Sequence, residues 1–195
     1  MSQASTSQTL LIRLREPEDE EAWRDFSGLY LPLLRRFVML RGVPAQDVDD
    51  VVQEVLSTVV RAIQKFDYDP AKGTFRDWLF IVCRSHVFKW FRSQAAAQKR
   101  AEFDFSEVPA PEEQQNWDLE YRRQIFAWAS ERVRPVVQEK TWKAFWMTAV
   151  ENQRGPDVAA ALKMSVAAVH VAKSRVIARM REEISRASGE TLDLK

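Results

Sequence analysis

The sequence predicts an all-α protein of two small helical domains joined by a flexible linker, with a helix-turn-helix in the C-terminal domain. Three observations predict this fold class. Gly is scarce, at 5 of 195 residues, while residues that favour helix, such as Ala, Leu, Arg, Glu and Gln, are common. Apolar residues recur at intervals of three and four over long stretches. A stretch containing two prolines interrupts this periodicity near the middle of the chain.

The domain boundaries follow from these changes in pattern. We expect a disordered N-terminus at residues 1–17 and a first helical domain at 18–95. A linker at 96–116 then leads to the helix-turn-helix domain at 117–188, and residues 189–195 form a tail.

The first two helices of the first domain show clear helical periodicity. One covers about 18–40, where Pro32 predicts a kink or a helix boundary and Gly42 provides a stop signal. The second covers about 45–66. Its predicted buried stripe consists of Val48, Val51, Val52, Val55, Leu56, Val59, Val60 and Ile63.

A turn at 67–73 separates the second helix from the third. Thr74 and Asp77 resemble a capping box with Asp in place of the usual Glu, so we expect the third helix to begin there and to run to about Arg92. This helix contains many aromatic residues, but its length and its 3.6-residue period favour helix over strand.

The second domain is predicted to hold two helices followed by the helix-turn-helix. The two helices cover about 117–132 and the segment after Pro135 to about 151. A short helix at 157–162, a tight connection and a Ser165 cap then lead into a long helix that ends near residue 186.

The charges are distributed unevenly along the chain. A formal net charge of +1 argues against a uniformly basic coat for nucleic acid. Acidic residues nevertheless dominate from 47 to 69, and basic residues dominate from 72 to 100. This separation predicts an acidic face for a protein partner and a basic face for nucleic acid.

Composition also argues against several classes of site. Cys83 is the only cysteine, which excludes an intrachain disulfide and a multi-thiolate zinc site. No apolar run is long enough to span a membrane, and the N-terminus lacks the features of a secretion signal. We therefore expect a soluble cytoplasmic protein without membrane insertion, with no cofactor, no metal site and no catalytic residue.

The start of the long C-terminal helix is a candidate DNA-reading surface. In a helix-turn-helix, this part of the second helix meets base edges and phosphates. The candidate residues are Ala168, His170, Val171, Ser174, Arg175 and Arg179. The alternative is an ordinary helical hairpin with solvated arginines.

The third helix is a candidate for contact with unpaired DNA. Its basic residues are interspersed with aromatics, a pattern typical of single-strand binding, where cations follow phosphates and rings stack on bases. The candidates are Arg76, Arg84, Lys89 and Arg92. For most of the apolar residues, including Trp78, Leu79 and Val82, burial in the core is the favoured interpretation.

The beginning of the second helix carries more negative charge than a helix cap needs. Asp47, Asp49 and Asp50 complement the helix dipole, and Gln53 and Glu54 follow one turn later. These residues alone leave two interpretations open: a surface that binds a partner protein, or simple stabilisation of the helix.

These three segments occur in an order that resembles the bacterial sigma factors. DVDDVVQEVL (47–56) resembles their acidic D-x-E-D-x-V-Q-E signature, and FRDWLFIVCRSHVFKWFR (75–92) resembles the F-R-x-W-L-x-x-I-x-R-N block that follows it. YLPLLRRFVMLRGVP (30–44) and 136–187 are similar to the preceding helix and the C-terminal helix-turn-helix. The chain is identified as a member of the short extracytoplasmic-function branch, group 4, which keeps only regions two and four.

The resemblance implies a function in transcription initiation. Asp49, Asp50, Gln53 and Glu54 would bind the coiled coil of the largest polymerase subunit. The four basic residues of the third helix would contact and help to melt the minus-ten element, and the long C-terminal helix would read the minus-thirty-five element. The implied partners are core RNA polymerase, including its beta flap, promoter DNA, and an anti-sigma factor or other inhibitor.

The chain departs from the family pattern in two places. Arg84-Ser85-His86 replaces the common Arg-Asn, and the recognition helix is apolar from Ala168 to Ala172. Base readout is therefore expected to depend on methyl contacts, His170 and Arg175.

Two other functions remain as alternatives. A stand-alone helix-turn-helix regulator would bind duplex DNA without polymerase, but it has no need for the acidic helix followed by aromatics. An enzyme is disfavoured because the two histidines are far apart in sequence, no Gly-rich loop is present, and Cys83 lies among apolar residues.

Overall fold

The computed structural model of the chain describes residues 10–64, 74–98 and 110–188. Over these residues the regular secondary structure is helical and contains no strand, which confirms the all-α class. The α-helices are α1 (Glu20–Leu40), α2 (Ala45–Ile63), α3 (Phe75–Gln98), α4 (Pro111–Val133), α5 (Glu139–Phe145), α6 (Gly155–Leu162) and α7 (Val166–Ser188). None of these helices is both long and apolar enough to cross a bilayer.

The described residues divide into two compact units. One unit contains residues 11–124, and the other contains residues 125–188 together with Leu10. The division therefore falls within α4 and not in the segment 96–116.

The core of the first unit contains the apolar faces of α1, α2 and α3. The valine-rich stripe of α2 is buried at Val48, Val51, Val52, Val55, Val59 and Ile63, as predicted. Two residues of the predicted stripe differ, because Leu56 is only partly buried and Val60 is 45% exposed. Both lie toward the edge of the apolar face, where the packing against α1 and α3 ends.

Helix α1 continues through Pro32 without a boundary, contrary to one of the two predicted outcomes. Leu29, Leu33 and Phe37 are buried on both sides of the proline. Burying these side chains offsets a proline cost of roughly 3 kcal/mol in a helix interior. The helix stops where predicted, since Gly42 follows it with a positive φ of 86°.

The capping box at the start of α3 is confirmed. The backbone N–H of Thr74 donates to Asp77 Oδ2 at 3.1 Å, and the backbone N–H of Asp77 donates to Thr74 Oγ1 at 3.1 Å. Helix α3 continues to Gln98, beyond the predicted end near Arg92. The alanines at 95–97 explain the extension, because alanine has the highest helix propensity.

The predicted disorder of residues 1–17 is wrong for the part that the structure describes. Leu11 and Leu14 are buried, and Arg13 donates to both oxygens of Asp19 at 2.7 and 2.8 Å. These hydrogen bonds lower the pKa of the Asp19 carboxyl, whose side chain also caps α1 by accepting from the backbone N–H of Ala22. The apolar residues at positions 10, 11, 12 and 14 form too short a pattern to predict this packing.

The predicted linker is wrong at its C-terminal end, because residues 111–116 belong to α4. The predicted C-terminal domain also began too early. Trp117 is fully buried with its ring 5.2 Å from that of Phe37 and 5.6 Å from that of Phe80. Tyr121, one turn later, is fully buried beside Tyr30. Residues 111–124 therefore complete the core of the first unit.

The second unit contains the end of α4 and all the later helices. The single helix predicted after Pro135 is divided into a 3-10 turn at 134–136, helix α5 and a π-helical turn at 146–150. Helix α6 begins at Gly155, before the predicted start at 157, and α7 continues to Ser188, beyond the predicted end near 186. Lys163, which follows α6, adopts a left-handed conformation with φ of 51°. Helices α5, α6 and α7 share a small core of Ala144, Val158, Ala159, Val169 and Ala172.

Some predictions concern residues outside the described ranges. These are the turn at 67–73, the disorder of residues 1–9, the middle of the linker at 99–109 and the tail at 189–195.

Candidate partner and nucleic-acid interfaces

The acidic start of α2 is an exposed surface. Asp49, Asp50, Gln53 and Glu54 all face solvent, whereas the valines between them are buried. Asp49 forms an ion pair with Arg35 of α1, with Oδ1 3.0 Å from Nε, and both side chains are more than half exposed. Such an exposed pair contributes little to stability, so this charge is accessible to a partner.

A small apolar groove lies beside these carboxylates, between α2 and α3. Its volume is about 240 Å³. It is lined by Asp50, Val51, Glu54, His86, Lys89, Trp90 and Ser93. The groove therefore has an acidic edge from α2, a basic edge from α3 and an apolar floor.

His86 links these two helices, which the sequence analysis did not predict. Its Nε2 lies 2.9 Å from the hydroxyl of Thr58, and that hydroxyl also donates to the backbone carbonyl of Glu54 at 3.1 Å. Partial burial lowers the pKa of His86, the charges of Lys89 and Arg61 lower it further, and Glu54 opposes the shift. The sequence signal was the replacement of the family's Asn by Ser85-His86.

Lys89 and Arg92 are the exposed members of the predicted minus-ten set. The guanidinium of Arg92 lies 5.5 Å from the centre of the Phe88 ring, which orients it along the helix surface. Both cations can therefore reach a phosphate without any change in the fold.

Arg84 is in a different environment. Only 9% of the residue is exposed, and its Nε donates to Glu113 Oε2 at 2.7 Å. Arg41, which directly follows α1, approaches the other oxygen of the same carboxylate at 2.9 Å. In this conformation Arg84 cannot reach DNA, so its predicted role requires a rearrangement.

Arg76 is also covered by α4. Its guanidinium lies 4.8 Å from the centre of the Tyr121 ring, and its Nε is 3.6 Å from Asp118 Oδ1. That distance exceeds a normal hydrogen bond, so the pair is an ion pair with loose geometry. The side chain is 19% exposed.

The aromatic residues of α3 mostly belong to the core. Phe75, Leu79 and Phe80 are buried, and Trp78 and Val82 are partly buried. This burial agrees with the prediction that Trp78, Leu79 and Val82 belong to the core. Trp90 is partly buried and lines the groove described above together with Lys89.

The predicted recognition surface of α7 is accessible. Ala168 is partly buried, while the other candidates, His170, Val171, Ser174, Arg175 and Arg179, are exposed. The hydroxyl of Ser165 accepts from the backbone N–H of Ala168 at 3.1 Å, as expected for the predicted cap. A Cβ at Gly155 would lie 3.5 Å from His170 Nε2, so the start of α6 is close to this histidine.

A larger apolar groove lies in the second unit, along α5 and the π-helical turn. Its volume is about 680 Å³, and Trp142, Trp146 and Met147 form much of its surface. The two indole rings are stacked with centres 5.8 Å apart. Charged residues surround this apolar surface, which is a suitable shape for an apolar segment of a protein partner.

Cys83 lies in the core with 0% exposure, and burial raises the pKa of its thiol. A thiol in such surroundings is a poor nucleophile. Within residues 10–64, 74–98 and 110–188, no group of three or more His, Cys, Asp or Glu side chains could hold a metal ion.

Part of the first unit matches a known protein family. Residues 28–97 match the family model for sigma-70 region 2. The chain is 26% identical over 76 residues to the ECF RNA polymerase sigma factor RpoE of Cereibacter sphaeroides, an alignment covering 39% of this chain and 41% of that protein. The alignment thus spans about two fifths of that relative's length.

A solved structure is also similar over most of the chain. It is that of CnrH in complex with the cytosolic domain of CnrY, with 21% sequence identity and a TM-score of 0.38. The alignment covers 92% of this chain and 97% of that one.

Proposed function

We propose that this chain, which belongs to the extracytoplasmic-function sigma factors of the sigma-70 family, directs core RNA polymerase to promoters and promotes DNA melting there. Sigma factors are initiation factors without catalysis of their own, and RNA synthesis is left to the polymerase. A protein with this function acts in the bacterial cytoplasm. The proposal rests on the exposed acidic start of α2.

The polymerase contact is proposed at Asp49, Asp50, Gln53 and Glu54. Their carboxylates and amide face solvent on one side of a rigid helix whose opposite face is fixed in the core. A basic coiled coil of the largest subunit would be complementary to this surface, and such charge complementarity favours fast and specific association. The apolar groove around Trp142 and Trp146 is the proposed contact for the beta flap.

Promoter contacts are proposed on two helices. Lys89 and Arg92 of α3 are accessible for phosphates of the minus-ten strand, with Arg76 and Arg84 as further contacts after rearrangement. The exposed face of α7 from Ala168 to Arg179 is proposed to bind the minus-thirty-five element in the major groove. An unpaired base that stacks on an aromatic ring offsets part of the cost of opening the duplex.

The first test is binding to core RNA polymerase. The variant Asp49→Lys/Asp50→Lys/Glu54→Lys should remain helical but should fail to co-elute with polymerase. A matched control is Glu16→Lys/Glu18→Lys/Glu182→Lys, which reverses three exposed acidic residues elsewhere and should bind like the native chain. Equal binding by both variants would contradict the proposed contact.

The same experiment separates this function from that of a stand-alone regulator. The exposed face of α7 would also serve a protein that binds duplex DNA alone. Such a protein would bind duplex operator tightly without polymerase, and the α2 charge reversal would leave that binding unchanged. An anti-sigma factor or other inhibitor is a further proposed partner, and its removal would have to precede either assay.

A further inference from the structure

The groove between α2 and α3 extends from the proposed polymerase surface to residues of α3 that have no role in the contacts proposed so far. Asp50 and Glu54 of that surface line the groove on the α2 side, together with the buried Val51. Helix α3 contributes Trp90 and Ser93 to the lining. The groove is therefore continuous with the exposed carboxylates of α2.

The size of the groove is suitable for one side chain of a partner. Its volume is about 240 Å³, whereas pockets that hold drug-sized ligands have volumes of roughly 300–1,000 Å³. A whole helix cannot enter a space of this size, but a single aliphatic or aromatic side chain that projects from a helix can. The groove thus resembles a pocket for one anchoring residue at a protein interface.

The polar atoms of the groove wall already have partners within the chain. The hydroxyl of Ser93 donates to the backbone carbonyl of Trp90 at 2.7 Å. Nε2 of His86 lies 2.9 Å from the hydroxyl of Thr58. The side chain of Lys89 is exposed, so its ammonium can lie in water while its methylene groups line the groove. The interior therefore favours an apolar side chain over a polar group, which would lose its hydrogen bonds to water.

The charges at the edge of the groove favour a protein over a nucleic acid. The exposed carboxylates of Asp50 and Glu54 repel the phosphate groups that accompany every nucleobase, and they attract lysine and arginine. A helix with an apolar residue one turn away from a basic residue would complement the interior and the edge of the groove together.

We propose that this groove receives one apolar side chain of the polymerase coiled coil, next to the basic residues that bind Asp50 and Glu54. This inference rests on the function proposed above and extends the polymerase contact from α2 to α3. The polymerase would then hold both helices through one anchoring residue, and its affinity would not depend on charge alone. Contact between apolar groups is less sensitive to sodium chloride than attraction between exposed charges, which salt screens.

The first test fills the groove. Ser93→Phe adds an aromatic side chain to the groove without changing the charge of the surface. Because Ser93 is exposed, the helix should stay folded, which circular dichroism checks. Ser85→Phe is the matched control, because Ser85 is exposed on the same helix but does not line the groove.

Binding of these variants to core RNA polymerase is measured at several concentrations of sodium chloride. Ser93→Phe should weaken binding by about tenfold or more, the loss expected when one apolar side chain can no longer be buried. The salt dependence should stay as in the native chain, because no charge has changed. Ser85→Phe should bind like the native chain. Native affinity in a folded Ser93→Phe variant would overturn the proposal.

The second test leaves the groove open and detects its occupant. Ser93→Cys introduces a thiol of similar size into the groove, and Ser85→Cys is the matched control. Cys83 is buried, so it should react slowly with N-ethylmaleimide. Core polymerase should protect the thiol at position 93 from this reagent and should leave the thiol at position 85 reactive.

Other results of the alkylation test have distinct meanings. Protection of position 93 by single-stranded DNA but not by polymerase would assign the groove to a nucleobase and overturn the proposal. A thiol that stays reactive in a variant that co-elutes with polymerase would also overturn it, while the proposed function would stand. Failure of the native chain to co-elute with polymerase would instead contradict the proposed function itself.

Discussion

The hydroxyl of Thr58 on α2 lies 2.9 Å from Nε2 of His86 on α3. This hydrogen bond joins the helix with the proposed polymerase surface to the helix with the proposed DNA surface. Because His86 is partly buried, its protonation state affects the stability of this contact.

The stability of the first unit should depend on pH through His86. Its pKa is lowered in the folded protein from the usual 6.5, so the unfolded chain binds the proton more readily. The stabilising effect is therefore present above pH 6.5 and is lost as pH falls through 6.5 to the lowered native pKa. Chemical denaturation over this window, compared between native protein and His86→Gln, should show the difference.

Gln at position 86 can still hydrogen-bond to Thr58 but does not titrate. The variant should therefore show a flatter pH profile while keeping helical structure. A constant difference in unfolding free energy between the two proteins across the window would rule out this role for His86.

The capping box of α3 should contribute measurably to stability. Thr74→Ala removes the oxygen that accepts from the backbone N–H of Asp77, and we expect a loss of about 1 kcal/mol in unfolding free energy. Asp77→Ala should cost a similar amount because it leaves the Thr74 N–H without this acceptor. If Thr74 and Asp77 act as one unit, the double variant should lose less unfolding free energy than the two single variants lose together.

Trp117 should be essential to the first unit even though it lies outside the segment that matches sigma-70 region 2. Trp117→Ala should reduce the unfolding free energy by about 3–5 kcal/mol, as for other buried aromatic truncations. Leu119→Ala is the matched control, because Leu119 is only two residues away but 45% exposed. Its effect should stay within about 0.5 kcal/mol. Similar losses for both variants would contradict the packing described for α4.

The recognition helix should separate phosphate binding from base reading. Arg175→Ala should weaken binding to all promoter sequences and reduce the salt slope by about 1 if Arg175 contacts a phosphate. His170→Ala should instead alter the preference at one or two base positions. Measuring the binding of each variant to a set of mutated promoters at several salt concentrations distinguishes phosphate binding from base reading. As a control, polymerase binding should be unchanged in both variants.

Local patterns in the sequence predicted most of the helices. The valines of α2, the Thr74–Asp77 cap and the Ser165 cap are all short-range signals that depend on spacing along one helix. They could be recognised without knowing what the helix packs against. The exposed carboxylates of α2 followed from the same spacing.

The assignment of α4 could not be predicted in this way. Trp117 and Tyr121 have helical spacing, but nothing in that spacing indicates whether they pack with Phe37 and Phe80 or with the later helices. The same limitation applies to Arg84, which sits in a basic segment but is buried because Glu113, 29 residues later, pairs with it. Partners this far apart in the sequence can be identified only when the fold is known.

The π-helical turn at 146–150 has a consequence for chain length. The backbone N–H of Glu151 donates to the carbonyl of Trp146, five residues earlier, where an α-helix would use the residue four earlier. This turn therefore contains one residue more than a regular helical turn. A single deletion, which elsewhere in a helix rotates every later side chain out of position, could here convert the turn to α-helix and leave both flanks in register. Single-residue length differences among related chains are accordingly expected between Trp146 and Glu151.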